Sequence, residues 1–118
     1  MFGRLRLNVD GTQYFQNLST SEHTEFLERL RVQLTKIIPL DDSQLEITGR
    51  HGIDKEGGFV IHMKIYPTKN QKNENTLAVA QDLNTLITNK AFTSISYDNF
   101  TSLLDEGYGF QINCKIIS

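Results

Sequence analysis

The sequence predicts an α+β fold of the ferredoxin-like βαββαβ type, in which two helices cover one face of a four-stranded antiparallel sheet. Three observations lead to this prediction. Apolar residues alternate with polar ones in four segments, they recur at helical spacing in two others, and the segments follow one another as β-α-β-β-α-β. Because 118 residues are enough for one core, residues 1–118 are expected to form a single domain.

The first half of the chain predicts two strands on either side of a long helix. Alternation places the first strand at residues 4–10 and the second at residues 44–48. Between them, Ser19 and Glu22 have the spacing of a capping box, and Pro39 ends the helix that begins there. The residues expected to face the core are Leu5, Leu7, Val9, Phe26, Leu27, Leu30, Leu34, Ile37, Ile38, Leu45 and Ile47.

The second half predicts two more strands and a second helix. Four glycines and several charges at residues 49–58 indicate a wide loop, and a third strand follows at residues 59–66. A polar linker at residues 68–75 leads into the helix, residues 91–106 fit no single element, and a last strand covers residues 110–117. The inward residues are Phe59, Ile61, Met63, Ile65, Leu77, Ala80, Leu83, Leu86, Ile87, Phe110 and Ile112.

The opposite face of the predicted sheet is polar and carries charges of both signs. It is free either to remain in water or to meet a partner. Its expected members are Arg4, Arg6, Asn8, Glu46, Thr48, Val60, His62, Lys64, Tyr66, Gln111, Asn113 and Lys115.

Charge and cysteine content exclude several kinds of partner and site. A formal net charge of -2 and a pI near 5.9 argue against a partner held mainly through phosphate contacts, which needs clustered Lys and Arg. Cys114 is the one cysteine, so neither an intrachain disulfide nor a thiolate metal cluster can form. We expect its thiol to be buried, with an interchain disulfide as the alternative.

Hydropathy gives an expectation about membranes and compartment. No stretch approaches the length of a membrane span, and the N-terminus lacks the apolar run of a signal peptide. We therefore expect no membrane insertion by this chain. The protein is expected to be either intracellular or an excised piece of a larger secreted chain.

No pattern of side chains predicts catalysis, a cofactor or a metal. His23 lies near a helix start, His51 in a loop and His62 on a strand, so no set of convergent metal ligands is expected. The glycines of residues 49–58 do not form a phosphate-binding loop, and no nucleophile elbow occurs. We therefore assign no catalytic, cofactor-binding or metal-binding residue, and expect the chain not to be an enzyme.

RNA binding is one alternative on this topology. The segment Lys55-Glu56-Gly57-Gly58-Phe59-Val60 matches the RNA-binding motif of a third strand at its Lys, one Gly, the Phe and the aliphatic residue. Glu56 and Gly57 stand where Gly and an aromatic are required, and the first strand offers no aromatic residue for stacking. A second alternative is a small-ligand regulatory domain, with a pocket at residues 49–58.

Several segments in residues 4–97 share a further pattern. They are the strand Leu5-x-Leu7-x-Val9, the helix with Phe26, Leu30 and Leu34, the strand Leu45-x-Ile47, the segment Gly57-Gly58-Phe59-Val60-Ile61-His62-Met63-Lys64-Ile65, and the helix with Ala80, Leu83 and Ile87. Together they resemble a SEA-like domain. In self-cleaving members of that family, a Ser attacks the carbonyl of the preceding Gly at the entry to the third strand. Gly57-Gly58 aligns with that pair, and the resemblance therefore implies a copy that does not cleave itself, because Gly58 has no hydroxyl.

These observations together predict a structural or protein-interaction module. The final strand, residues 110–117, has few charges, and at a sheet edge it could pair with another copy of the chain. Self-association into oligomers or larger assemblies is the expected form of that interaction.

Overall fold

The structure is a computed structural model that describes residues 1–38, 40–67 and 74–112. Its strands are β1 (Phe2–Arg6), β2 (Leu45–Ile53), β3 (Phe59–Ile65) and β4 (Gln111–Ile112), and its helices are α1 (Val9–Gln16), α2 (Thr20–Ile37) and α3 (Glu74–Thr88). Short 3-10 segments cover Asp42–Gln44, Lys90–Phe92, Ser94–Ser96 and Thr101–Leu103. The predicted α+β class is confirmed, although three α-helices rather than two occur in the described ranges.

The sheet is antiparallel throughout its described part, with the strand order β2-β3-β1-β4. Leu5 of β1 lies opposite Ile61 of β3, and Gly3 of β1 lies opposite Ile112 of β4. An isolated antiparallel bridge joins Leu7 to Leu104 just beyond β1. β1 and β3 are therefore central, and β2 and β4 form the two edges.

The prediction of a strand over residues 4–10 is wrong at its C-terminal end, because α1 begins at Val9. The Asn8 side chain accepts a hydrogen bond from the N–H of Gly11 at 2.7 Å and so caps the helix. Asn8 consequently does not belong to the outer sheet face, and Val9 is 73% exposed instead of buried. The polar-apolar alternation simply continued past the true strand end.

Gly11 shows why a glycine occupies the first turn of α1. A Cβ at this position would lie 2.9 Å from Leu103 Cβ and 2.9 Å from the Leu103 carbonyl oxygen. The helix can therefore approach the segment before β4 only with a glycine here.

The start of α2 follows the predicted capping box. Ser19 Oγ accepts from the N–H of Glu22 at 3.4 Å, and Glu22 Oε1 accepts from the N–H of Ser19 at 2.9 Å. The helix ends at Ile37, and the predicted stop at Pro39 lies outside the described residues.

β2 is longer than the predicted strand at residues 44–48, because it continues through a bulge between Ile47 and His51. Half of the predicted loop at residues 49–58 therefore belongs to the sheet, and only the turn at 54–58 joins β2 to β3. α3 begins at Glu74, so most of the predicted linker lies outside the described residues, as do residues 113–117 of the predicted last strand.

Side chains from the sheet and all three helices form one apolar core. Phe15 of α1 contacts Phe59 at 4.2 Å and Phe26 at 5.3 Å between ring centroids, so the unpredicted helix joins the same cluster. Its fully buried members include Leu5, Leu7, Phe26, Leu30, Leu34, Leu45, Ile61, Met63, Ile65, Leu83, Ile87 and Ile95.

Leu30 and Leu77 form a matched pair for testing this core. Leu30 is 0% exposed on α2, whereas Leu77 is 42% exposed on α3. Leu30→Ala is expected to lower the free energy of unfolding by about 2–5 kcal/mol because it leaves a cavity. Leu77→Ala is expected to change it by less than about 1 kcal/mol. Urea unfolding measures both, and equal effects would contradict the core described here.

Candidate interaction surfaces

The three histidines lie on three different elements, and the prediction that His51 lies in a loop is wrong because β2 extends to Ile53. His23 Nε2 is 2.8 Å from the carbonyl oxygen of Phe15, and its ring stacks on the Phe15 ring at 4.1 Å. His51 lies on β2 with its ring 5.4 Å from Phe59, and His62 lies on β3. Within residues 1–38, 40–67 and 74–112, no group of three His, Cys, Asp or Glu side chains could hold a metal ion. Cys114 lies outside these ranges, so its burial and its interchain disulfide stay predictions.

The outer face of the sheet carries most of the predicted polar residues. In register, Arg4 lies between His62 of β3 and Gln111 of β4, and Phe2 lies opposite Lys64. Asn113 and Lys115 lie outside the described residues. Sequence analysis missed Phe2, which is 49% exposed, because the predicted strand began two residues too late.

Aromatic rings surround the ammonium group at one corner of this face. Lys64 Nζ lies 4.6 Å from the ring centroid of Tyr66 and 5.2 Å from that of Phe2. The Tyr66 hydroxyl donates to Glu46 Oε1 at 2.7 Å, and this hydrogen bond raises the pKa of the Tyr66 hydroxyl. Glu46 lies opposite Lys64 in the strand register, so one acid and two aromatic rings lie near this cation.

Arg6 links three parts of the chain at the opposite end of the face. Its Nε is 3.1 Å from Asp54 Oδ2, and its Nη1 is 3.1 Å from Asp105 Oδ2. Asp54 belongs to the β2–β3 turn, and Asp105 to the segment before β4. We call this set of three residues the Arg6 clasp.

Asp54 also shapes the turn that follows β2. Its Oδ1 accepts from the N–H of Gly58 at 2.9 Å and from that of Glu56 at 3.0 Å. These hydrogen bonds, of which the one from Gly58 is the strongest influence, together with the nearby Arg6 charge hold the pKa of the Asp54 carboxyl below its usual value. The carboxylate is thus kept ionised in both of its roles.

Two glycines complete that turn for different reasons. Gly57 has a φ of 84°, a conformation that L side chains rarely adopt. A Cβ on Gly58 would collide with the Arg6 guanidinium. Position 58 therefore has no room for a side chain while the Arg6 clasp is closed.

Arg4 differs from Arg6 in making no ion pair within the described ranges. Its Nε, like that of Arg6, is buried without a hydrogen bond. The side chain borders a hollow of about 340 Å³ on the outer face. We call this the Arg4 hollow, and its lining includes Arg4, Ile53, Asp54, Val60, His62 and Tyr108.

A larger groove of about 600 Å³ runs between α2 and the edge strand β2. Its lining includes Leu27 and Arg31 from α2 and Leu45, Ile47 and Thr48 from β2. We call it the α2–β2 groove. Its apolar floor belongs to the core, and its side is the open edge of the sheet.

The main chain of β2 faces this groove. Tyr66 N–H donates to the Gln44 carbonyl at 2.8 Å, and hydrogen-bonded pairs alternate along an antiparallel ladder. Leu45 and Ile47 therefore direct their main-chain groups away from β3. Arg31 Nη1 donates to the Leu45 carbonyl at 3.4 Å, which agrees with that direction.

Comparison with known protein families, with curated proteins and with solved structures finds no match. The resemblance to SEA-like domains therefore stays a prediction. None of the helices in the described part of the chain has the length and apolar character needed to cross a membrane.

The collision at Gly58 can be tested against Gly52, where a Cβ would meet nothing within 4 Å. Gly58→Ala is expected to lower the free energy of unfolding by about 1–3 kcal/mol, because Arg6 must move away from Asp54. Gly52→Ala is expected to change it by less than about 1 kcal/mol. Urea unfolding of the two variants gives the comparison, and a neutral Gly58→Ala would show that the clasp does not fill this space.

The lowered pKa of Asp54 predicts a pH dependence of stability. Because the carboxyl has a lower pKa folded than unfolded, its contribution is fully present above the unfolded pKa, about 3.9, and is lost as the pH falls through the folded pKa. Asp54→Asn should therefore reduce the acid-induced loss of stability in that window. Urea unfolding as a function of pH measures this, with the exposed Asp82→Asn on α3 as the control. An unchanged pH profile for Asp54→Asn would contradict the assignment.

Proposed function

We propose that this chain is a non-enzymatic protein-interaction module with a ferredoxin-like arrangement, and that it associates with other chains through the open edges of its sheet. The observation that carries the proposal is the position of β2, an edge strand whose main chain faces the α2–β2 groove. A strand edge beside a groove is a common way to bind an extended segment of another protein.

The ferredoxin-like part of the proposal is supported by the strand order. β2-β3-β1-β4 places the first and third strands at the centre, with α2 in the connection from β1 to β2 and α3 in that from β3 to β4. In this proposal α1 is an addition within the first connection, and the 3-10 segments after α3 lengthen the second.

The edge of β2 has both favourable and limiting features. Main-chain groups at Leu45 and Ile47 point outward, where an added strand can pair with them, although the Leu45 carbonyl already accepts a hydrogen bond from Arg31. The bulge between Ile47 and His51 interrupts the ladder, and bulges limit uncontrolled edge pairing. The proposed contact is therefore short and centred on residues 45–48, with the groove providing the apolar contact area.

A second copy of the chain is the partner that this arrangement favours. β4 lies at the other edge, so pairing of β4 from one copy with β2 of the next would join unlike surfaces. Repetition of such a contact builds rings or open assemblies. This agrees with the predicted self-association through the C-terminal strand.

RNA binding has weaker support on this surface. Phe2 supplies the aromatic residue that the first strand had been expected to lack, and Lys64 lies beside it. However, Arg6 is paired with two aspartates and Glu46 lies on the same face, which lowers the positive potential that a phosphate backbone needs.

Self-association is tested by measuring mass in solution from micromolar to millimolar concentration. The mass of the wild-type chain is expected to rise with concentration. Thr48→Lys should reduce that rise, because a lysine at a strand edge opposes pairing, whereas Thr85→Lys on the exposed surface of α3 should not. Sedimentation equilibrium gives the masses.

Reductant separates strand pairing from a bridge through Cys114. Association that persists in reductant and weakens in Thr48→Lys supports the proposal. A strict monomer over the whole range, or association that only an oxidised Cys114 produces, contradicts it.

A further inference from the structure

We propose that the Arg4 hollow is a binding site for a small molecule that carries one carboxylate on an apolar or aromatic group. The site lies on the outer face of the sheet, and none of its lining residues lines the α2–β2 groove. It is therefore independent of the interaction proposed for the α2–β2 groove.

Arg4 makes no ion pair with any of the described residues. Its Nε is buried without a hydrogen-bond partner, and its neighbours across the strands, His62 and Gln111, are not acids. A buried N–H without an acceptor is costly, and an anion is the strongest acceptor for it. An external anion in the hollow would supply the missing partner.

The nearby Arg6 shows that the local acids are already in use. Asp54 and Asp105 both contact the Arg6 guanidinium at 3.1 Å. Asp54 additionally accepts two main-chain hydrogen bonds within its turn. These two acids are therefore engaged elsewhere, so neutralisation of Arg4 has to come from outside the described part of the chain.

Asp54 also decides which anion fits. It lines the hollow, and its hydrogen bonds and the Arg6 contact keep it ionised. A dianion such as a phosphate monoester would meet more repulsion there than a monoanion. The planar guanidinium of Arg4 matches a carboxylate through two parallel hydrogen bonds.

The other residues that line the hollow indicate what kind of group the carboxylate is attached to. Val60 and Ile53 contribute apolar surface, and Tyr108 also lines the hollow. A volume of about 340 Å³ is within the range of small-molecule sites. The geometry thus fits a compact apolar or aromatic acid better than an inorganic anion.

The test uses the full chain with phenylacetate as the probe. Nitrogen-labelled protein is titrated at neutral pH while the Arg4 Nε–H signal and the amides of Val60 and Tyr108 are observed. Phenylacetate is expected to shift these signals saturably, with a Kd in about the millimolar range for so small a ligand. Uncharged phenylacetamide and dianionic phenyl phosphate should each bind at least about tenfold more weakly.

Variants connect the binding to the guanidinium. Arg4→Gln should weaken phenylacetate binding by at least about tenfold, whereas Arg29→Gln, which changes an exposed arginine paired with Glu25 on α2, should not. Arg4→Lys keeps the charge but loses the planar fork, so it should bind with intermediate affinity. It also provides the comparison if Arg4→Gln does not fold.

Three results would each overturn the proposal. They are the absence of saturable shifts at the hollow, wild-type affinity in a folded Arg4→Gln or Arg4→Lys variant, and phenyl phosphate binding as tightly as phenylacetate. None of these results depends on whether the chain self-associates, because the titration is carried out at one protein concentration with the masses measured separately.

Discussion

The contact of Arg6 with Asp54 and Asp105 is the constraint on which both candidate surfaces depend. It joins the central strand β1 to the β2–β3 turn and to the segment before β4, which are 48 and 99 residues away in sequence. The Asp54 end of this contact shapes the turn and so allows β2 to pair up to Ile53. The same contact engages Asp54 and Asp105, whereas no ion pair to Arg4 occurs in the described part of the chain.

The two proposals use different physical properties of one sheet. At the β2 edge, binding would use main-chain N–H and C=O groups. An added strand can pair with these groups without a specific side-chain sequence. At the Arg4 hollow, binding would use a single charge in a partly buried setting, where an ion pair is stronger than in open water. A chain could use both at once, because one lies along the sheet edge and the other on its outer face.

Some features could be read from local sequence because their causes are local. Ser19 and Glu22 cap α2 through main-chain atoms three residues apart, and the spacing alone identified them. The predicted strand wrongly included Val9. The alternation of polar and apolar residues gives no sign that the Asn8 side chain caps a helix. The sequence predicted no single element for residues 91–106, because their conformation depends on residues far away in the chain. One of these is Gln33, whose side-chain oxygen accepts hydrogen bonds from the N–H groups of Phe100 and Thr101.

The sequence by itself determined the α+β class, the order of its main strands and helices, and most of the core. The reason is that the spacing of apolar residues along a segment shows which of its faces is buried. Only the tertiary structure decided that Arg6 meets two acids while Arg4 meets none among the described residues, since the two arginines look alike in the sequence and differ in what long-range folding brings beside them. It also decided that β2 forms an edge with a groove beside it, because strand neighbours depend on the path of the whole chain rather than on any one segment.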